Sequence, residues 1–209
     1  TPIMVDVNDD FNINLEKIKE AITPKTKVII PVDIGGWPCD YDAIMALINQ
    51  KEIKSFFIPD GNVQEKLGRI LVISDAAHSV GAIYKGSCTG TATDITIFSL
   101  HSVKNITTGE GGAICINLPK PFVNKGVLQY LRYLSLNGQT KSAFEKSKVG
   151  GWRYDIVDQG LKVNMPDICA AVGLAQIKQY KSKLLIERKD IFKYYNNYFS
   201  KYDWALLPP

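Results

Sequence analysis

The chain has no apolar run long enough to cross a membrane. A spanning helix needs about 20 consecutive apolar residues, and the longest apolar stretch here lies near Lys27–Val32. The first seven residues, Thr1 to Val7, carry no basic segment and no long apolar stretch, so no signal peptide is expected. Cysteine is scarce. Cys39, Cys88, Cys115 and Cys169 form no C-x-x-C pair, which leaves a zinc or redox motif without support. Scattered cysteines in a chain of 209 residues fit reduced thiols and a cytoplasmic protein. Excess charge is also lacking: 25 Lys+Arg against 21 Asp+Glu leave +4, too little to point to nucleic acid. No G-x-x-x-x-G-K-[ST] loop and no G-x-S-x-G elbow occur, so neither a P-loop nor a serine-hydrolase site is indicated.

What is present is ordinary for a globular protein. Apolar residues make up 45% and charged residues 22%, which excludes disorder and fibrous repeats. The length allows one or two domains with a full core. Helix and strand signals alternate. Residues 3–7 read as a short strand. Asn14 suits an N-cap for a helix with Leu15, Ile18 and Ile22 at helical spacing, closed by Pro24. Residues 27–32 read as a buried strand and Gly35-Gly36-Trp37-Pro38 as a turn. Asp40 suits the cap of a helix burying Ile44, Leu47 and Ile48. Residues 51–68 read as an irregular insertion, broken at Pro59-Asp60-Gly61-Asn62. Strands follow over 70–73, ending at Ser74-Asp75, then over 95–100 and 113–117. A helix is expected over 121–134 and a mobile loop over 137–151. Pro166 and Asp167 suit the first turn of a long helix, broken once, with Leu185, Phe192, Tyr195 and Phe199 on a stripe near its far end. This alternation predicts an α/β fold with a mostly parallel sheet flanked by helices.

Ligands bind such sheets at the carboxyl ends of the strands. That rule points to Asp75 and to residues 99–105. The chain's two histidines, His78 and His101, each follow one of these strand ends. Ser99 and Lys104 share the second, and Gly109-Glu110-Gly111-Gly112 comes next. Each has a plainer reading. Asp75 could cap a helix, a lone His is more often structural, a lone Lys is usually solvated, and a glycine string alone is weak evidence. His78, His101 and Asp75 lack metal-site spacing, so no metal is expected. Composition and spacing leave the function open.

Two stretches carry more. Asp75-Ala76-Ala77-His78 with Gly81-Ala82, and Phe98-Ser99-Leu100-His101-Ser102-Val103-Lys104-Asn105 running into Thr107-Thr108-Gly109-Glu110-Gly111-Gly112, resemble the DegT/DnrJ-type sugar aminotransferases. Residues 21–32 resemble the family's preceding helix–strand unit. Residues 160–168, with Ala170, Ala171 and Gln176, resemble its interface segment. The resemblance spans nearly the whole chain.

It implies the large domain of the fold type I (aspartate aminotransferase-like) architecture and pyridoxal 5'-phosphate (PLP) as cofactor. Residues 1–180 would be the central part of that domain, and 181–209 a long helix leading towards a small C-terminal domain. Family members start before the position of Thr1 and continue past Pro209, so the expectation is a central piece, incomplete at both ends and weak or inactive alone. By resemblance, Lys104 forms the Schiff base with the cofactor and Asp75 pairs with its pyridinium nitrogen. His78 contacts the ring near the phenolic oxygen, Ser99 contacts the phosphate, His101 lies near Lys104, and Asn164 reaches the neighbouring subunit's phosphate. The implied reaction carries an amino group, by family usually from glutamate, to a keto group of a nucleotide-linked sugar for polysaccharide, spore-coat or cell-surface glycan synthesis. The implied partners are that sugar, the amino-acid donor and a second copy in a homodimer, with no nucleic acid or membrane. Sugar dehydratases related to the family carry histidine at the lysine position, so Lys104 favours amino transfer. A non-catalytic, regulatory member of the fold is the other alternative.

Overall fold

The structure is a computed structural model and describes residues 1–208. In chain order it contains α1 (Leu15–Ala21), β1 (Val28–Ile29), a 3₁₀ turn (Ile34–Gly36), α2 (Tyr41–Asn49), α3 (Lys51–Phe56), α4 (Asn62–Leu67), β2 (Leu71–Asp75), β3 (Ile83–Tyr84), β4 (Ser87–Cys88), β5 (Ile95–Ser99), β6 (Gly112–Ile116), α5 (Asn124–Ser135), α6 (Ala143–Lys146) and α7 (Asp167–Gln179). A π-helical turn (Tyr180–Leu184) then joins α7 to α8 (Leu185–Phe199).

The sheet order is β1-β2-β5-β6. β1 runs parallel to β2 and β2 parallel to β5, while β6 returns antiparallel to β5. The fold is therefore α/β with a mostly parallel sheet. Period-two alternation sorts the strand residues. Val72, Ser74 and Ala76 are buried on one face, whereas Leu71, Ile73 and Asp75 are half-buried on the other. The buried face packs against α1 to α3 through Ile18, Tyr41, Ile44, Leu47, Ile48 and Ile53. Capping starts α1 and α2 as expected: Lys17 N–H donates to Asn14 Oδ1 (3.0 Å) and Ala43 N–H to Asp40 Oδ1 (3.2 Å).

Four local expectations need correction. Residues 3–7 form no strand: Ile3 and Met4 are exposed, and Val7 makes only one bridge, to Ile13. Residues 27–32 are not buried throughout. Ile29 and Pro31 point inward while Val28, Ile30 and Val32 point out, as in a strand covered on one side. Residues 51–68 are not irregular but hold α3 and α4. Ile53 and Phe57 join the core, and α4 ends on Gly68, whose φ of +64° is the left-handed cap glycine tolerates. Helices of six residues are too short to show a period. The 137–151 segment contains α6 and one bridge outward, Gln139 to Ile156. The long helix continues over 167–199, its single irregularity being the π turn.

One buried ion pair fixes the middle of the sheet. Arg69 Nη1 and Nη2 donate to Asp94 Oδ2 and Oδ1, both at 2.7 Å, and the Val72 N–H donates to Oδ2 at 3.0 Å. The side chains are 7% and 2% exposed, so neither charge has water to fall back on. Replacing Asp94 by Ala leaves the guanidinium charge with only the Ile70 carbonyl (2.9 Å) and the Val72 amide without its acceptor. Removal of one partner of such a pair costs about 3–5 kcal/mol, so Asp94→Ala should lower the urea midpoint sharply; an unchanged midpoint would contradict this packing.

Candidate functional site

The β2–β5 register places two strand ends side by side. Asp75 lies opposite Ile97, and the Ala76 N–H donates to Ile97 O at 2.9 Å. Both chains then leave the sheet at the same edge, in loops 76–82 and 100–111. Asp75 faces away from the helix-covered core. Its Oδ1 accepts the Ala77 N–H at 3.1 Å; Oδ2 has no hydrogen bond among the described residues.

The two loops are laced together. Asn105 Nδ2 donates to His78 O (3.0 Å) and to Val80 O (3.3 Å). The Lys104 N–H donates to His101 O at 3.0 Å, and the Leu100 N–H to Gly111 O at 2.9 Å. Lys104 is half-buried, one residue before the lacing amide, and His78 is exposed at the other end of the lacing. Ser99 lies opposite Gly112, at the start of β6, and its Oγ accepts the His101 N–H at 3.3 Å. The hydroxyl proton stays free to donate. His101 turns within its own loop: Nδ1 accepts the Val103 N–H at 3.4 Å, which leaves the proton on Nε2, 3.6 Å from Glu110 Oε1.

The structure thus brings Asp75, His78, Ser99, His101 and Lys104 to one sheet edge. It does not bring Asn164 there. That residue is exposed in a segment held to the end of α5, where Leu161 N–H donates to Leu134 O and Val163 N–H to Ser135 O. Its neighbour Met165 does approach the glycine turn, and a Cβ on Gly111 would lie 2.7 Å from Met165 Cε. Two surface cavities, of about 220 and 480 Å³, are lined by β6, α5 and the 136–148 segment, away from these residues.

Asp33 was not anticipated. It continues the inward alternation of Ile29 and Pro31, so its carboxyl group enters the core, fully buried. Its Oδ1 accepts the Cys39 N–H at 3.1 Å; its Oδ2 accepts the Tyr41 and Ser79 hydroxyls, each at 2.5 Å. Its N–H donates to Asp75 O at 3.0 Å. Tyr41 also meets Ser74 at 3.2 Å, and Thr89 donates to Ser79 O at 2.7 Å. Gly36 closes this knot: its φ is +88°, and a Cβ there would lie 2.9 Å from His78 O. The signal in the sequence is a polar residue at the inward phase just beyond an apolar strand. Burial, then the neighbouring Asp33, pushes the Cys39 thiol up to about 12. Burial and the bond to Asp33 push the Tyr41 hydroxyl up as well.

The family model described as DegT/DnrJ/EryC1/StrS aminotransferase matches residues 1–60 and 64–208. The chain is 36% identical to an uncharacterized protein of Methanocaldococcus jannaschii over 99% of its length. It is 32% identical to the spore coat polysaccharide biosynthesis protein SpsC of Bacillus subtilis over all of it. It spans about half the length of these curated relatives, 48% of each. Among solved structures, it is similar to the PMP form of a proposed sugar aminotransferase from Streptococcus pneumoniae: 42% identity, TM-score 0.85, covering 95% of this chain and 49% of that one. The PLP form of the same protein aligns at 40% identity and TM-score 0.85, covering 96% and 48%.

The Asp33 knot has a direct test. The thiolate is the reactive form of cysteine, so at pH 8 iodoacetamide should label exposed Cys88 and spare Cys39. Asp33→Ala leaves three buried donors without their acceptor, at about 1–3 kcal/mol each. It should lower stability and render Cys39 reactive under native conditions; equal labelling of Cys39 and Cys88 in the unmodified protein would show that the knot is not closed.

Proposed function

Because the chain belongs to the DegT/DnrJ/EryC1/StrS aminotransferase family, we propose that it forms the cofactor-holding core of a PLP-dependent sugar aminotransferase. Asn105 carries this reading, since it joins the loop after Asp75 to the loop bearing Lys104. The donor set fits the cofactor: a carboxyl group for a ring nitrogen, a hydroxyl for a phosphate and an amine for an aldehyde, on adjacent strand ends. Bound PLP supplies an aldehyde carbon and a ring that takes up electrons from the substrate carbon.

The chain's own residues supply the rest. Asp75 uses Oδ1 to brace its loop, so Oδ2 is the oxygen that holds the proton on the ring nitrogen. The Ser99 hydroxyl donates to phosphate oxygen. With PLP bound, Lys104 would be the residue that holds its aldehyde carbon, through a neutral amine, and the same amine would carry a proton between substrate and cofactor carbons. His78 would lie against the ring near the phenolic oxygen, and His101 would stand beside Lys104. Asn164, whose segment is tied to the end of α5, would serve the phosphate of a second copy in a homodimer. Residues 1–180 belong to the cofactor-binding domain, and the long helix from 181 starts against it, with Arg188 reaching the Lys104 carbonyl; Pro209, where that segment ends, lies outside the described residues.

The substrate reading is a keto group on a nucleotide-linked sugar, with glutamate as amino donor, in cytoplasmic synthesis of polysaccharide or cell-surface glycan. The named role of the Bacillus relative in spore coat polysaccharide biosynthesis supports it, as does the sugar aminotransferase likeness at 42% identity.

The chain should be incubated with PLP, reduced with borohydride, digested and mapped by mass. The adduct is expected on Lys104 and should be missing from Lys104→Ala. In a transfer assay from glutamate to a keto-sugar nucleotide, the loss of proton transfer alone should lower turnover about 10²-fold to 10⁴-fold in that variant. Adducts scattered over surface lysines, or unchanged in Lys104→Ala, would overturn the assignment.

A further inference from the structure

One helix face touches both site loops. Gly173 on α7 has no Cβ, and one built there would lie 2.6 Å from Thr108 Cγ2. Gln176 Oε1 accepts the Thr107 N–H at 2.9 Å. The Tyr180 hydroxyl donates to Val80 O at 2.6 Å, and its buried ring fills the space that Gly81 leaves by lacking a Cβ. Arg188 on α8 extends this line: its Nη2 donates to Lys104 O at 3.4 Å. Gly173, Gln176 and Tyr180 are spaced three and four apart, as one face of an α-helix requires. Arg188 comes eight residues after Tyr180.

That spacing is wrong for an unbroken α-helix. At about 100° per residue, eight residues carry Arg188 roughly 80° round the axis from Tyr180. The π turn removes the error. Its hydrogen bond runs from Leu185 N–H to Tyr180 O, five residues back, so it takes up one extra residue and returns Arg188 to within about 20° of the Tyr180 line. The Arg188 charge indeed acts on the Tyr180 hydroxyl, pulling its pKa down against the larger upward push of burial.

We propose that Arg188 is a positioning residue for Lys104, holding the carbonyl of that residue, and that the Tyr180–Leu184 π turn exists to set its phase. What Lys104 does rests on the reading above; the grip on its loop does not. The helix then works as a brace across the 76–82 and 100–111 loops, with Tyr180 holding one and Gln176 and Arg188 the other.

The test compares amide hydrogen exchange in the peptide spanning residues 101–108 with global stability from urea unfolding. Arg188→Ala should speed exchange in that peptide by about threefold to tenfold, the size of one exposed charge-assisted hydrogen bond. The urea midpoint should not move, because Arg188 is exposed. Arg188→Lys, which keeps a donor, should restore part of the protection. Two length variants test the phase. Insertion of one alanine between Ile186 and Glu187 should reproduce Arg188→Ala, because it turns the side chain by about 100°. Deletion of Ser182 converts the π turn to α-helix with Arg188 seven residues from Tyr180, so exchange should match the parent. The rate of borohydride-trapped PLP incorporation at Lys104 should follow the same order. Parent-like exchange in Arg188→Ala would overturn the positioning role. Equal loosening by the deletion and the insertion would overturn the phase argument. If the parent takes up no cofactor at Lys104, the functional reading fails while the exchange result still decides this one.

Discussion

A single buried carboxyl group ties the loop-bearing edge of the sheet to the core. Asp33 accepts hydrogen bonds from Cys39, Tyr41 and Ser79, and its backbone holds Asp75. Through these contacts the end of β1, the start of α2, the last residue of β2 and the 76–82 loop share one anchor. A buried polar group is costly unless every partner is in place, so the knot specifies one arrangement. The Arg69–Asp94 pair does the same a few residues further down the sheet, at the start of β2 and β5. Polar groups in the core thus hold the strand ends in register.

The site loops rest on that foundation and on each other. Asn105 bonds two carbonyls of the loop after β2, so neither loop can move far alone. The long helix crosses both through Gln176, Tyr180 and Arg188. Most of these contacts go to backbone atoms. They fix where the chain runs, and the Asp75, His78 and Lys104 side chains proposed to meet the cofactor are carried on loops held in this way.

The elements were largely legible in the sequence. Asn14 and Asp40 cap helices as their chemistry dictates, and the apolar runs before Asp75 and Ser99 form the two central strands. The short elements were not. α3, α4 and the β3–β4 hairpin are too brief to show a period, and residues 3–7 are apolar without a strand beside them to pair with. The candidate site was read as a pair of strand ends, because ligands gather there in parallel sheets, and the resemblance supplied the chemistry proposed for it. The knot around Asp33 was hidden because a hydrophobic pattern gives no reason to bury an Asp; only the inward phase after Ile29 and Pro31 marks it. Asn164 was assigned by resemblance to the neighbouring subunit's phosphate; within one chain its segment is tied to the end of α5. Arg188 was invisible because its register depends on a π turn that no side-chain pattern announces.

The central claim is that Asp75 and Lys104 act on one bound cofactor from adjacent strand ends. Nitrogen NMR of PLP labelled at its ring nitrogen and attached at Lys104 tests it directly. The ring nitrogen should carry a proton in the parent protein and lose it in Asp75→Asn. A signal that the substitution leaves unchanged would place the carboxyl group away from the ring and contradict the convergence of the two loops on a single site.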